Sequence, residues 1–73
     1  MTKIKVELSI PNELKDEPLI YTMGREFEII PNIIEASFST STGWAILTFE
    51  GEKEELERLL GYLKDKNISV NIL

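Results

Sequence analysis

The sequence contains neither cysteine nor histidine. These absences exclude thiolate catalysis, iron–sulfur ligation and the usual zinc sites, and they remove the side chain that ordinarily transfers protons near neutral pH. No run approaches the ~20 apolar residues that a membrane-spanning helix needs. Lys5, Glu7 and Ser9 interrupt the N-terminal apolar residues, so no signal peptide is expected. Because a chain without cysteine also fits a reducing compartment, we expect a cytoplasmic location.

Basic residues are few and scattered. Eight Lys and Arg stand against 13 Asp and Glu, which gives a net charge of −5. Binding to a phosphate backbone relies on clustered cations, so nucleic acid is not expected as a partner. The 73 residues allow one domain with a thin core. Association with a second copy, or with a larger protein, is therefore expected.

The first half of the chain predicts a strand followed by a helix. Lys3–Ile10 alternates polar and apolar residues, as a half-buried strand does. Asp16 is the predicted helix N-cap, with Glu17 and Pro18 in the first turn. Apolar residues then recur at helical spacing: Leu19, Ile20, Met23 and Phe27.

The second half predicts a hairpin, a helix and a last strand. Pro31 is expected to split the second strand region, so that the regular strand begins near Asn32. Within that strand the alternation places Ile34, Ala36 and Phe38 on one face, and Ile33, Glu35 and Ser37 on the other. The predicted ranges are Ile29–Ser39 for the second strand region, Ser39–Gly43 for the hairpin loop, Trp44–Phe49 for the third strand, Lys53–Lys64 for the second helix and Ile68–Ile72 for the last strand.

The order of elements predicts an α+β fold, the ferredoxin-like βαββαβ sandwich. Its four-stranded antiparallel sheet has the expected order 4-1-3-2, and both helices cover one face. The other face then lacks cover within the chain. Its candidates are Ile33, Ala45 and Leu47, or their alternating neighbours. An exposed apolar sheet face or edge usually marks a contact surface.

Candidate chemistry is sparse. Glutamates crowd the segment from Glu50 to Glu57, which suits either a divalent-cation site or the solvated N-terminus of a helix, and the second interpretation is favoured. No base is evident for the Ser and Thr residues of the hairpin. Asn32 enters an apolar strand directly after a proline. Its amide could hold the amino and carboxylate groups of a small ligand, pair with an edge strand, or cap its own backbone.

Several short motifs occur in an order and approximate spacing that resemble the NIL domain, and the resemblance covers nearly the whole chain. The family takes its name from an Asn-Ile-Leu motif, matched here by Asn32-Ile33-Ile34. The same letters in Asn71-Ile72-Leu73 lie in the last predicted strand and are regarded as coincidence. Residues 1–73 are accordingly expected to form a single NIL-like domain. The residues that carry the resemblance are Pro18-Leu19-Ile20, Arg25-Glu26-Phe27, Asn32-Ile33-Ile34-Glu35-Ala36, Gly43, Gly51, Leu63 and Ile68-Ser69-Val70.

The resemblance implies one of two settings. One is the C-terminal regulatory domain of methionine-import ABC transporter ATPases, which dimerises and binds methionine. The other precedes 4Fe-4S ferredoxin modules, and residues 11–20 look closer to that group. This chain has no Walker A motif and no cysteine, so it carries neither the ATPase nor a cluster. We therefore expect either a free-standing domain or a piece of a longer protein.

By this resemblance the chain is expected to be a regulatory module that binds methionine or a related sulfur amino acid, acting as a homodimer. The expected ligand-binding residues, near a dimer interface, are Asn32, Ile33, Ile34 and Ala36. No catalytic residue, metal or cofactor is expected, and the chain is not expected to be an enzyme. The alternative is a non-catalytic protein-interaction domain of a ferredoxin- or ABC-transporter-associated system, with a ferredoxin or a transporter ATPase as partner. An enzyme using the Glu50–Glu57 segment is the least favoured hypothesis.

Overall fold

A computed structural model of the chain describes residues 1–14, 16–39 and 43–73. The elements follow the predicted order, with one short addition after the first strand. They are β1 (Thr2–Ile10), a single 3₁₀ turn (Asn12–Leu14), α1 (Leu19–Glu26), β2 (Ile29–Phe38), β3 (Gly43–Gly51), α2 (Lys53–Asp65) and β4 (Ser69–Ile72).

The four strands form one antiparallel sheet in the order β2-β3-β1-β4. Read from the other edge this is the predicted 4-1-3-2, so the ferredoxin-like prediction is confirmed. Alternate residues of β1 and β3 are buried against the helices, and the core contains no buried polar side chain among the described residues. The core residues of these two strands and the helices are Val6, Leu8, Ile10, Ala45, Leu47, Phe49, Leu19, Met23, Leu56, Leu59 and Leu63.

Helix α1 starts later than predicted. Its N-cap is Pro18, and no side chain caps it, so the prediction of Asp16 as N-cap is wrong. A residue that precedes proline is disfavoured in the helical region, which keeps Glu17 out of the helix. Phe27, predicted on the helical stripe, lies just past the end with an extended backbone. Its ring still reaches the core, where it is 6% exposed.

Strand β2 differs most from prediction. It is continuous through Pro31, because it is an edge strand and proline needs no ladder donor on its outer side. The register with β3 shifts between Ile33 and Glu35. Ile34 is the extra residue of this bulge, and the alternation of side chains reverses there. Ile33, opposite Leu47, therefore shares the helix side with Ala36 and not, as predicted, the side of Glu35.

The same register decides which side chains occupy the uncovered face. Ala45 and Leu47 are 2% and 0% exposed beneath the helices, so of the residues expected on the open face it is their alternating neighbours, Trp44 and Ile46, that lie there. The predicted hairpin loop falls mostly on residues 40–42, outside the described ranges. Pairing of β2 with β3 reaches Phe38 opposite Gly43.

Helix α2 ends at Asp65, one residue beyond the predicted Lys64. Asn67 has φ 62°, the left-handed conformation expected of a residue just past a helix C-terminus. The N–H of Ile68 donates to the carbonyl of Leu63 at 3.0 Å, and the N–H of Asn67 donates to that of Lys64 at 3.0 Å. These two bonds form a Schellman motif, which directs the chain back into the sheet as β4.

Candidate functional site

The four residues predicted to bind a ligand all lie on β2, and all are exposed. Cross-strand partners share a face, so the register assigns each side chain. Ile33 and Ala36 pair with the buried Leu47 and Ala45, and they lie on the helix side of the sheet. Asn32 pairs with Thr48 and lies on the open side, while Ile34 lies in the bulge. The strand therefore presents the predicted residues to two different surfaces.

Ile33 and Ala36 line an apolar groove between β2 and the segment that leads into α1. The volume of the groove is about 210 Å³. Its floor is formed by the buried Ile10 and Ala45. The described residues that line it are Ile10, Leu14, Glu17, Pro18, Leu19, Ile20, Tyr21, Ile33, Ala36, Phe38 and Ala45.

Two features of the chain leave this groove open. Helix α1 has only eight residues and starts at Leu19, so the C-terminal half of β2 lies beyond its cover. Small residues, Ala36 and Ala45, occupy paired positions on the sheet surface there. Phe38 closes one end of the groove over Gly43, where a Cβ atom would lie 2.5 Å from the ring. A side chain at position 43 would therefore force the exposed Phe38 ring to move.

Asn32 borders a separate pocket on the open face of the sheet. This pocket also measures about 210 Å³, and its lining is more polar: Lys3, Ile30, Pro31, Asn32, Thr48 and Glu50. Asn32 thus cannot contact a ligand in the groove from its own chain without crossing the strand. A ligand must occupy one side of β2 or the other, and the two sites are separable by mutation.

Glu17 and Pro18 line the groove, although the sequence assigned them only to the first turn of a helix. A helix predicted to start at Asp16 includes them in its first turn. In the structure α1 starts only at Leu19, and they lead into it. The one available signal was Pro18, which marks the first position where a helix can begin without losing a bond. The sequence predicted Phe38 on the same strand face as Ala36. Its position beside Gly43, however, depends on the register of the hairpin.

A second cluster fixes the start of β2. The Glu55 carboxylate accepts the Glu28 backbone N–H at 2.8 Å and the Arg58 Nε–H at 2.8 Å. Arg58 also donates to the Glu26 carbonyl at 3.1 Å, and its guanidinium lies 4.4 Å from the centre of the Phe27 ring. This cluster ties α2 to the connection between α1 and β2. The single carboxylate of Glu55 thus reaches both the Glu28 backbone and the Arg58 side chain.

These contacts change the acidity of both charged groups. The Arg58 hydrogen bond, followed by the Glu28 N–H, lowers the pKa of Glu55 from 4.5 to about 2. The Glu55 hydrogen bond in turn raises the pKa of Arg58. Glu55 is therefore ionised at neutral pH, and it serves as a fixed acceptor with no capacity for proton transfer there.

An ion pair at the opposite end of the helices borders the groove. Lys66, the C-cap of α2, places its Nζ 3.4 Å from the Glu17 Oε2. The same Nζ lies 5.5 Å from the centre of the Tyr62 ring. Within the described ranges, Glu17 is the one acidic side chain in the groove lining. The groove thus combines apolar walls with a pair of opposite charges at its rim.

No three Asp or Glu side chains within residues 1–14, 16–39 and 43–73 lie close enough together to hold a metal ion. The glutamates from Glu50 to Glu57 are instead spread along the end of β3 and the first turns of α2, with Glu55 engaged by Arg58. Within the described part of the chain, no helix has the length and apolar character needed to cross a membrane.

Comparison with known proteins agrees with the fold. A family model described as the NIL domain matches residues 5–72. The methionine import ATP-binding protein MetN of Bacillus subtilis (strain 168) is 25% identical over 72 residues, covering 93% of this chain and 21% of the relative. The chain thus spans about a fifth of the length of that curated relative.

A solved structure provides an independent match to the architecture. The C-terminal domain of an ABC transporter ATP-binding protein from Enterococcus faecalis superposes with a TM-score of 0.81. The match covers 96% of this chain and 82% of the other, at 16% sequence identity. At that identity the likeness establishes the fold and carries no assignment of ligand.

Proposed function

Because the chain belongs to the NIL domain family, we propose that it is a non-catalytic regulatory module that binds methionine or a related sulfur amino acid and acts as a homodimer. The relative from B. subtilis is named for methionine import, and that name supports the choice of ligand. The observation that carries the proposal is the apolar groove beside β2, the strand that contains the Asn32-Ile33-Ile34 motif.

The groove suits a small apolar side chain. Its volume of about 210 Å³ is below the ~300–1,000 Å³ typical of sites for drug-sized ligands. Ile33 and Ala36 supply exposed apolar walls, and Ala45 supplies the floor. A thioether is flexible and polarisable, so it fills an irregular apolar space well. We assign Ile33 and Ala36 to contact with the ligand side chain.

Asn32 and Ile34 do not line the groove, so the proposal assigns them other roles. The Asn32 amide would bind the polar end of a ligand only if that ligand occupied the open-face pocket in place of the groove, since its side chain lies on that side of the sheet. Ile34 is 52% exposed in the bulge at the sheet edge, a position suited to contact with a second copy. Variants on the two faces of β2 distinguish these roles.

The edge of β2 offers an exposed apolar surface for contact with a second copy of the chain. Strand β2 is an unpaired edge of the sheet, and Ile30, Ile33, Ile34 and Phe38 are between 49% and 58% exposed on it. Such a row of apolar side chains on an edge favours association. A dimer that covers them would also enclose the groove and strengthen ligand contacts.

Regulation follows if the ligand distinguishes two states of the assembly. A ligand shifts an equilibrium only by the difference of its affinities for the two states. In this proposal the partner is the ATPase of a cytoplasmic ABC import system, and occupation of the groove changes how the two domains associate. The domain itself performs no chemistry.

Calorimetric titration tests the binding proposal. L-Methionine should bind the wild-type chain, and Ala36→Leu should weaken binding at least about tenfold by filling the groove. The matched control is Ser37→Leu, which places the same leucine side chain on the open face opposite Trp44 and should leave binding unchanged. Asn32→Ala tests the open-face pocket, and loss of binding in that variant alone would move the ligand there. No heat with millimolar methionine or its analogues would contradict the proposal.

Sedimentation analysis tests the dimer. Ile34→Lys introduces a charge on the β2 edge and should give a monomer. Ile72→Lys introduces the same charge on β4, the other edge, at a residue of similar exposure, and should leave the dimer intact. A wild-type chain that is monomeric at high concentration, with and without methionine, would contradict the dimer.

The exposed apolar edge of β2 also supports a second candidate, a protein-interaction domain that binds no small molecule. Its partner would be a ferredoxin or a transporter ATPase. This candidate predicts a dimer, or a complex with the purified partner, that is insensitive to every amino acid tested. Loss of that complex in Ile34→Lys, in a chain whose wild type gives no heat with any amino acid, would favour this candidate over ligand binding.

A further inference from the structure

The rim of the apolar groove carries one pair of opposite charges. Among the described residues that line the groove, only Glu17 is charged. Its two carboxylate oxygens lie 3.5 and 3.4 Å from the Lys66 Nζ. An anion and a cation are thus held next to each other where the apolar surface meets solvent.

The backbones on both sides of this pair are fixed, while the side chains are free to adjust. The N–H of Glu17 donates to the Leu14 carbonyl at 3.0 Å, and the Glu17 carbonyl accepts the N–H of Leu19 at 2.8 Å. The N–H of Lys66 donates to the carbonyls of Tyr62 and Leu63, at 3.2 Å each. The two charged groups are therefore presented from anchored positions.

The pair itself is weak. The Glu17 and Lys66 side chains are 44% and 30% exposed, and their contact is long for a charge-assisted hydrogen bond. Exposed ion pairs of this kind contribute little to stability, so opening this one takes little free energy. A ligand that carries its own adjacent cation and anion can replace the internal contact with two new ones. A free α-amino acid is such a ligand.

We infer that Glu17 and Lys66 recognise the zwitterionic head of an apolar α-amino acid, and that the groove holds its side chain. The Glu17 carboxylate binds the α-ammonium group, and the Lys66 ammonium binds the α-carboxylate. This inference rests on the proposed function and specifies the ligand class: free amino acids with both charges present. Blocked amino acids and residues within a peptide chain lack one or both charges and bind poorly.

Analogues that lack one charge test each contact. The probes are L-methionine, N-acetyl-L-methionine, which lacks the ammonium, and L-methioninamide, which lacks the carboxylate. Glu17→Gln should weaken L-methionine binding at least about tenfold and change the affinity for the N-acetyl compound less than about twofold. Lys66→Met should likewise weaken L-methionine binding and spare the amide. The matched controls on α2, Glu57→Gln and Lys64→Met, should bind all three probes like the wild type.

The outcomes separate this inference from the proposed function. If the wild type binds L-methionine and both variants bind it equally well, the inference is overturned and the proposed function stands. If each variant weakens all three probes by the same factor, the pair only shapes the groove, and the inference is again overturned. If the wild type binds none of the probes, the proposed function fails and the inference fails with it. Circular dichroism of each variant confirms that the fold is retained.

Discussion

The substitutions Gly51→Ala and Gly61→Ala should change the free energy of unfolding in opposite directions. Gly51 ends β3, where it pairs with both Thr2 and Ile29. A Cβ atom at Gly51 would lie 2.8 Å from Ile29 Cγ2 and 2.9 Å from the Glu28 carbonyl oxygen. At Gly61, in α2, a Cβ atom would meet nothing within 4 Å. The same methyl group is thus added to a tightly packed position at Gly51 and to open space at Gly61.

The contacts around each glycine determine how much the free energy of unfolding should change. Overpacking in a closed site costs about 1–3 kcal/mol, and the reduced freedom of the unfolded chain offsets about 0.4–1 kcal/mol of that. Gly51→Ala should therefore destabilise by ~1–2 kcal/mol, because the Glu28 backbone is held by Glu55 and cannot easily move. Gly61→Ala should stabilise by about 1 kcal/mol through helix propensity alone.

Thermal unfolding followed by circular dichroism, at one protein concentration, measures both changes. In a domain of this size 1 kcal/mol corresponds to about 4–8 °C in Tm. We expect a fall for Gly51→Ala and a rise for Gly61→Ala. An unchanged or higher Tm for Gly51→Ala would show that β2 is not packed against the end of β3 as described, and this packing fixes the strand that carries the site.

Two further predictions concern charge and helix termination. Because the folded-state pKa of Glu55 is lowered from 4.5 to about 2, its stabilising contribution is present above pH 4.5 and is lost as the pH falls through about 2. Acid unfolding of Glu55→Gln should therefore show a weaker pH dependence in that window than the wild type, whereas equal dependence would exclude the Arg58 contact. At Asn67, glycine should preserve or raise the Tm and alanine should lower stability by about 1 kcal/mol, because φ is positive there. Equal Tm values for the glycine and alanine variants would contradict the left-handed cap.

Much of the fold could be predicted because its signals are local. The alternation of β1 and the extent of α2 each depend on residues near in sequence, and each was found within one residue of the predicted range. The order of elements then limits the topology to few possibilities, and the right-handed crossover rule selects the ferredoxin-like one.

The site was harder to predict because it depends on register. The adjacent apolar residues Ile33 and Ile34 disagree with strict alternation, and the structure resolves the disagreement with a bulge. That single extra residue decides that Asn32 lies on one face while Ile33 and Ala36 lie on the other. The ion pair between Glu17 and Lys66 joins residues 49 positions apart, and no local pattern indicates such a contact.

Chemical-shift mapping by NMR, with L-methionine titrated into the ¹⁵N-labelled chain, tests the central claim most directly. We expect saturable shifts at the amides that border the groove, those of Leu19, Ile20, Ile33, Ala36 and Phe38, with the open-face amides of Lys3 and Thr48 unchanged. Shifts confined to the open face, or none at millimolar methionine, would contradict a ligand site in the groove beside β2.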